Sequence, residues 1–169
     1  MTSTLTQLCA KLDSWSGRAN RITEVFLFVI GFGMAMVTGV QVFSRYVLNH
    51  SLFWSEEVGR ICLVWISFLG ASAAYKRRAH IGIDFVVARL PHNTQHLVAI
   101  LVLLLSLVFF AVLIVYGSVF AFFIAGQKTA ALGLPLAFPY LVIPLSGGLF
   151  SLHALSHLCR FLEPPKGEK

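Results

Sequence analysis

Residues 97–125 read LVAILVLLLSLVFFAVLIVYGSVFAFFIA, and this stretch decides the fold class. It contains no charged side chain over its whole length. About 20 consecutive apolar residues let an α-helix cross the hydrocarbon core of a bilayer, and only a helix or a closed barrel satisfies its backbone groups there. The stretch therefore predicts a transmembrane helix.

Three further apolar runs, at about 23–48, 53–75 and 138–158, predict three more spans. The composition agrees, since 57% of the 169 residues are hydrophobic and only 12% are charged, about half the charged fraction of soluble domains. We predict an all-α integral membrane protein with a cytoplasmic N-terminal segment at 1–21, a four-span membrane domain at 22–158 and a cytoplasmic tail at 159–169. The connection 49–52 is short enough to make the first two spans a tight antiparallel hairpin, and Pro144 should kink the last helix.

Two segments outside the spans predict short amphipathic helices at the membrane interface. The segment 2–18 has apolar residues at three- and four-residue steps, at Leu5, Leu8, Leu12 and Trp15; a disordered tail is the alternative. The segment 80–90 ends at Pro91 and places His80 and Asp84 four residues apart, where they can pair and stabilise a local helix.

The positions of the basic residues predict the orientation. With four spans, ten Lys and Arg residues fall on the side of the two termini and two on the other, Arg45 and Lys128. The positive-inside rule then places both termini in the cytoplasm. Because the formal net charge of +6 arises from residues that flank apolar runs, it favours the lipid bilayer as the partner and not nucleic acid.

Charged residues cluster near the predicted hairpin turn: Arg45, Glu56, Glu57 and Arg60. Charges inside a membrane are costly unless they are paired or hydrated, and both glutamates lie three or four residues before Arg60, within reach on a helix. We predict a neutral structural network that fixes the hairpin; a proton or ion site is the alternative. Trp54 and Trp65 are predicted to belong to the aromatic belt at the membrane interface.

Small residues repeat every four positions, at Gly31, Ala35 and Gly39 and again at Gly70 and Ala74. This spacing allows close contact between helices. It predicts packing surfaces and no chemistry.

No enzyme, metal site or cofactor site is predicted. Two histidine pairs, His92/His96 and His153/His157, have the i,i+4 spacing of metal or haem ligands, but neither has a third ligand, so we interpret them as polar residues at the interface. The cysteines are too scattered for a disulfide framework. No nucleophile with a base and no phosphate-binding glycine loop is present.

The motifs resemble the small membrane subunit (DctQ type) of tripartite ATP-independent periplasmic (TRAP) transporters over roughly residues 20–158. The resemblance rests on Arg45 and Tyr46, LFWSEE at 52–57, Arg60, Trp65, FLGA at 68–71, Ala74, HIGID at 80–84, LGLP at 132–135 and YLVIP at 140–144.

The resemblance implies a scaffold subunit in the inner membrane of a bacterium. Its partners would be a large DctM-type subunit, which carries the substrate and sodium sites, and a periplasmic substrate-binding protein that delivers an organic acid such as a C4-dicarboxylate or sialic acid. Gln127 and Lys128, in the outer loop, are candidates for contact with that binding protein. Two other interpretations stay open: an autonomous proton-coupled exporter that acts as an oligomer, and a haem- or quinone-linked redox subunit.

Overall fold

The computed structural model describes residues 2–77 and 92–162, and every regular element within these ranges is a helix. The elements are α1 (Thr2–Val47), α2 (Phe53–Lys76), α3 (His92–Phe123), α4 (Ala137–Tyr140) and α5 (Val142–Leu162). Four segments are long and apolar enough to cross a membrane: Gln7–Val47, Phe53–Lys76, Ile100–Phe123 and Ala137–Cys159. The predicted all-α class with four such helices is confirmed, whereas the predicted segment 80–90, with His80 and Asp84, lies outside the described residues.

The four long helices run alternately up and down, which gives the bundle two ends. At the loop end, α1 passes into α2 and α3 passes into α4; the terminal end carries the N-terminal half of α1 and the C-terminal ends of α2 and α5. The turn between α1 and α2 is tight, as predicted. It places Asn49 at φ 50°, a conformation that asparagine tolerates better than most residues, while Ser44 Oγ donates to the His50 carbonyl at 2.8 Å.

Helix α5 is the centre of the bundle because it packs against α1, α2 and α3. Helix α1 also packs along α2. Among the described helices, the backbone of α3 comes close to those of α4 and α5, and α3 meets α2 through side chains. A row of aromatic rings joins α2, α3 and α5: Tyr75 meets Phe110 edge-on with ring centroids 5.2 Å apart, and Phe110 stacks on Phe150 at 4.7 Å. The bundle is therefore open on the outer faces of α1 and α3.

The seam between α3 and α5 depends on two glycines that the sequence analysis did not single out. A Cβ atom at Gly117 would lie 2.8 Å from Ile143 Cγ2, and one at Gly147 would lie 2.9 Å from Ile114 Cγ1. Real Cβ contacts are not this short, so the seam requires glycine at both positions. At Gly31, Gly39 and Gly70, by contrast, a Cβ would meet nothing within 4 Å. The predicted small-residue surfaces are consequently not used for contacts among the described helices.

Helix α1 differs from the prediction in its N-terminal half. We expected a separate interfacial helix before residue 22, but α1 continues without a break over 46 residues, or about 69 Å at 1.5 Å per residue. No Pro lies between residues 2 and 47, so nothing interrupts the hydrogen-bond ladder. Trp15 is 69% exposed on this segment, and its placement at a membrane surface stays a prediction.

The helical pattern at the start of the fourth span is interrupted at Leu141, between α4 and α5. Pro144 has no N–H group to donate to the carbonyl of Tyr140, while the neighbouring bonds from Leu141 N to Ala137 O and from Leu145 N to Leu141 O persist at 2.9 and 3.3 Å. The disturbance expected from Pro144 is therefore found one turn before the proline itself.

Candidate functional site

The loop at 124–136 has a defined conformation although it belongs to no helix. Lys128 and Pro135 form an isolated antiparallel bridge, Thr129 N donates to Leu134 O at 2.8 Å, and Leu136 N donates to Gln127 O at 2.9 Å. Gly133 turns the chain with φ 66°, a value that glycine adopts without steric cost. The loop is thus a small hairpin, which we call the outer hairpin (residues 127–136).

Glu57 of α2 holds the tip of the outer hairpin. Its Oε2 atom accepts the backbone N–H groups of Ala131 at 2.7 Å and Leu132 at 3.2 Å. Within the hairpin, Thr129 Oγ1 accepts the N–H group of Leu134 at 3.0 Å. A carboxylate that accepts two backbone N–H groups makes charge-assisted hydrogen bonds, which are stronger than neutral ones. Glu57 therefore links the second span to the start of the fourth.

This arrangement differs from the predicted charge network. In the described ranges, neither Glu56 nor Glu57 forms a salt bridge with Arg45 or Arg60; the salt bridges found there are Lys76–Asp13 and Arg77–Glu24. Backbone N–H groups of a distant loop bind the Glu57 carboxylate directly, and spacing along one helix cannot reveal such partners. Arg60 acts on this carboxylate through its charge, without a direct salt bridge. A bracing role for the four charges together stays a prediction.

A cavity of about 380 Å³ lies between α2 and the outer hairpin. Three of the four predicted network residues line it, Glu56, Glu57 and Arg60, together with Lys128 from the hairpin, and Arg45 does not. Within the described part of the chain, Glu56, Arg60 and Lys128 make no hydrogen bond or ion pair through their side chains. Both cations of the cavity thus lack a direct counter-ion there.

The two predicted belt tryptophans lie in different settings. Trp54 lies in the first turn of α2 and is 42% exposed, so its position at the loop end fits the belt. Trp65 lies half-way along α2, where its ring is 5.9 Å from that of Phe26 and 5.6 Å from that of Phe138. Trp65 thus packs between helices half-way along α2, and its place in the interface belt stays a prediction.

The terminal end contains a polar cluster that the sequence analysis missed. Lys76 Nζ lies 3.0 Å from Asp13 Oδ1, and Ser156 Oγ donates to the same carboxylate oxygen at 2.9 Å. Ser156 is fully buried, and the Lys76 side chain is 15% exposed. One carboxylate of α1 therefore joins the ends of α2 and α5.

Two further contacts extend this polar junction. Ser16 Oγ lies 2.8 Å from His153 Nδ1, and both residues are fully buried. Glu24 accepts Arg77 NH2 at 2.7 Å and Asn20 Nδ2 at 2.6 Å. One feature of the sequence could have indicated this cluster. Asp13 and Ser16 are three residues apart, as are His153 and Ser156, and this spacing puts the two members of each pair on one face of their helix. We call the side chains of Asp13, Ser16, Lys76, His153 and Ser156 the terminal junction.

No group of three or more metal-ligating side chains occurs among the described residues. His153 is used by the terminal junction, and the ring of His157 lies 5.9 Å from that of Tyr75. The site thus consists of a cavity lined by two cations and two acids at one end of the bundle and a buried polar junction at the other. The cavity could bind a ligand or partner, and the polar contacts hold the helices together. In the described residues, no side chain is placed for covalent chemistry.

Comparison with known proteins identifies this architecture. Residues 34–163 match the family described as "Tripartite ATP-independent periplasmic transporters, DctQ component". The chain belongs to this DctQ family. The match includes all the residues of the outer hairpin, the cavity and the α3/α5 seam, while the α1 residues of the terminal junction precede it.

Relatives within and beyond the small-permease group agree with this assignment. The chain is 31% identical over 110 residues to the C4-dicarboxylate TRAP transporter small permease protein DctQ of Vibrio cholerae, which covers 63% of this chain and 47% of that protein. It is 27% identical over 131 residues to the sialic acid small permease protein SiaQ of the same organism, covering 78% and 75% of the two chains.

A third relative is the isethionate TRAP transporter permease protein DctMQ of Oleidesulfovibrio alaskensis, 34% identical over 108 residues. The match covers 62% of this chain but only 17% of that protein. The chain therefore spans about half the length of the first relative and about a sixth of the third. All three are permease proteins of transporters and not enzymes, as predicted for this chain.

Proposed function

We propose that this DctQ-family chain is the scaffold subunit of a sodium-coupled, binding-protein-dependent secondary transporter for organic acids, and that it packs against a large DctM-type subunit. The family match over residues 34–163 carries the proposal. The DctMQ relative supports the proposal of a large partner. Its match to this chain covers only 17% of that single polypeptide, which leaves most of its length for a second, larger part. In this proposal, the substrate and sodium sites belong to the large subunit.

The surface of α1 is the proposed contact with the large subunit. Gly31 and Gly39 are open to close approach, since a Cβ at either would meet nothing within 4 Å. Small residues at four-residue spacing let another helix come near. Arg45, on the same helix, is exposed, and an exposed charge next to a membrane favours a partner that supplies an acid or water.

Helix α3 is the proposed lipid-facing side of the subunit. Its segment from 97 to 123 contains no charged residue, and its outward side chains, such as Leu105 and Phe122, are 69% and 82% exposed. Hydrocarbon tails can cover such a helix at no electrostatic cost. The difference between α1 and α3 thus favours α1 as the protein-facing side.

The proposed location is the bacterial inner membrane, with both termini in the cytoplasm. The excess of Lys and Arg on the side of the termini supports this orientation. It places the loop end, with the outer hairpin, in the periplasm. Gln127 and Lys128 are both exposed there, which supports the proposal that they contact the substrate-binding protein.

The proposed substrate is a small organic acid. The relatives are named for C4-dicarboxylate, sialic acid and isethionate transport, and each of these compounds is an anion. A carboxylate is the class that the first two have in common, so we propose a carboxylate for this chain as well.

Co-purification tests the scaffold proposal. We expect the chain to be retained by an affinity-tagged large subunit of the same transporter, and Gly39→Leu to reduce the retained fraction severalfold, since an added side chain would hold the helices apart. Gly148→Leu is the matched control, because a Cβ there also meets nothing within 4 Å but lies on α5. Failure of the wild-type chain to co-purify would contradict the proposal.

A further inference from the structure

We propose that the N-terminal part of α1 binds an anionic phospholipid, whose phosphate group lies at Lys11 and Arg18 and whose acyl chain follows the helix toward the centre of the membrane. The inference goes beyond the proposed function and requires neither the large subunit nor the substrate-binding protein. It needs only that the bundle spans a bilayer. It assigns a ligand to a surface that has no partner among the described residues.

The surface is a straight row of side chains along α1. Its members follow one another at alternating steps of four and three residues, which keeps them on one side of a helix. All of them are exposed, and the apolar members are more than half exposed. We call this surface the α1 stripe, and it consists of Lys11, Trp15, Arg18, Ile22, Val25 and Val29.

The charge of this end of the molecule selects an anion. The side of the two termini has ten Lys and Arg residues and five Asp and Glu residues, an excess of five positive charges. The acids in the described part of that end, Asp13 and Glu24, already have cationic partners. Lys11 and Arg18 make no hydrogen bond or ion pair with any described residue. A phosphate group suits both, because arginine binds it with two parallel N–H groups and lysine attracts it as a point charge.

The packing of α1 on α5 gives the depth of the stripe. Ser16 lies 2.8 Å from His153, and the membrane span that contains His153 extends over Ala137–Cys159. Because α1 and α5 run in opposite directions, residues 11–18 lie beside roughly the last two turns of that span. This is the depth of lipid headgroups, so the two cations of the stripe are within reach of a phospholipid phosphate.

The order of the side chains along the stripe matches the order of groups in a phospholipid. Lys11 and Arg18 flank Trp15, and tryptophan favours the level between headgroups and hydrocarbon. The apolar members from Ile22 to Val29 continue the row toward the middle of the helix. One lipid molecule can therefore place its phosphate on the cations and an acyl chain on the apolar members.

A helix of the large subunit is the alternative occupant. The proposed contact with that subunit uses Gly31, which follows Val29 by two residues and so lies about 160° away around α1. The stripe itself contains neither Gly nor Ala, so it does not let another helix backbone approach closely. A flexible acyl chain can fit between bulky side chains, which favours lipid on this side of α1.

The experiment measures the lipid that the full-length chain retains when it is released from nanodiscs into a native mass spectrometer. The nanodiscs contain equal amounts of phosphatidylglycerol and phosphatidylcholine with identical acyl chains. We expect the wild type to retain phosphatidylglycerol in preference to phosphatidylcholine by at least roughly fivefold. Because both leaflets have the same composition, the result does not depend on the orientation of the chain.

Single substitutions then test whether the site is discrete. We expect Lys11→Gln and Arg18→Gln each to lower the retained phosphatidylglycerol roughly fivefold, since each basic residue near a membrane surface contributes about that factor. Both side chains are exposed and unbonded, so the variants should fold as the wild type does, which circular dichroism checks. Arg77→Gln is the matched control. It removes the same charge from the same end, but Arg77 is paired with Glu24, so retention should change less than about twofold.

Three results would overturn the inference. Equal losses for Arg18→Gln and Arg77→Gln would mean that lipid responds to the total charge of this end and that no discrete site exists. Equal retention of the two lipids by the wild type would exclude selection of an anion. Unchanged lipid retention in the double variant Lys11→Gln/Arg18→Gln, together with weaker co-purification with the large subunit, would assign the stripe to a protein partner.

Discussion

The charged residues at the two ends of the bundle have different kinds of partner. At the terminal end, Asp13 is bonded to both Lys76 and Ser156, and Glu24 is bonded to Arg77. Among the described residues of the loop end, Glu57 is the acid with hydrogen bonds, and its partners belong to the outer hairpin: two backbone N–H groups and the Thr129 side chain. The charged side chains of Arg60 and Lys128 have no counter-ion within 4 Å in the described residues.

This difference separates charges that stabilise the chain from charges that are available to partners. A charge near a membrane is retained only if something compensates it. Where the chain supplies the compensation, as for Asp13 and Lys76, the pair stabilises the subunit itself. Where it does not, water, lipid or another protein must supply it, which agrees with a subunit that works inside a larger complex.

The largest effect is expected at the terminal junction. Asp13→Ala removes the acceptor of Lys76 Nζ and Ser156 Oγ, so we expect the free energy of unfolding to fall by roughly 2 kcal/mol, as for other partly buried polar groups that lose a charged partner. Denaturant titration of the isolated chain in detergent micelles measures it. Glu56→Ala is the control and should change the free energy of unfolding by less than about 0.5 kcal/mol. Equal losses for Asp13→Ala and Glu56→Ala would contradict the view that charges of the terminal end stabilise the chain and those of the loop end do not.

An intermediate and local effect is expected at the loop end. Glu57→Ala should speed hydrogen exchange at the amides of Ala131 and Leu132 by roughly tenfold, corresponding to about 1.4 kcal/mol of lost local stability. Exchange of amides in the middle of α3 is the internal reference and should not change. Unaltered exchange at the two loop amides would mean that Glu57 does not hold the outer hairpin.

The smallest effect is expected for the exposed pair of Glu24 and Arg77. The Arg77 side chain is 67% exposed, and exposed ion pairs stabilise proteins by less than about 1 kcal/mol. Arg77→Ala should therefore lower the free energy of unfolding less than Asp13→Ala does in the same titration. If Arg77→Ala lowered the free energy of unfolding more than Asp13→Ala, the degree of burial would not determine which contacts of the terminal end stabilise the chain most.

The sequence predicted the helices far better than the contacts between them. The uncharged run at 97–125 and the short connection at 49–52 correctly indicated a four-helix membrane bundle with a hairpin, because both depend on local composition and length. The charge partners depend on how α1 crosses its neighbours. Lys76 and Arg77 are adjacent, yet they reach Asp13 and Glu24, which lie about 16 Å apart along α1.

The same limit applies at the site. Glu57 was placed correctly near the loop end, but its partners are backbone groups more than 70 residues away, and no side-chain pattern encodes them. Trp65 was assigned by residue type to the interface, whereas its ring packs between Phe26 and Phe138. The glycines that matter for packing, Gly117 and Gly147, lie on different helices, so no repeat in the sequence marks them.

Reconstitution into liposomes tests the scaffold role most directly. Proteoliposomes would contain this chain alone, the large subunit alone, or both, and uptake of a labelled carboxylate would be measured with the substrate-binding protein and a sodium gradient. We expect uptake only when both membrane subunits are present. Uptake against a gradient by this chain alone would contradict it and favour the autonomous exporter.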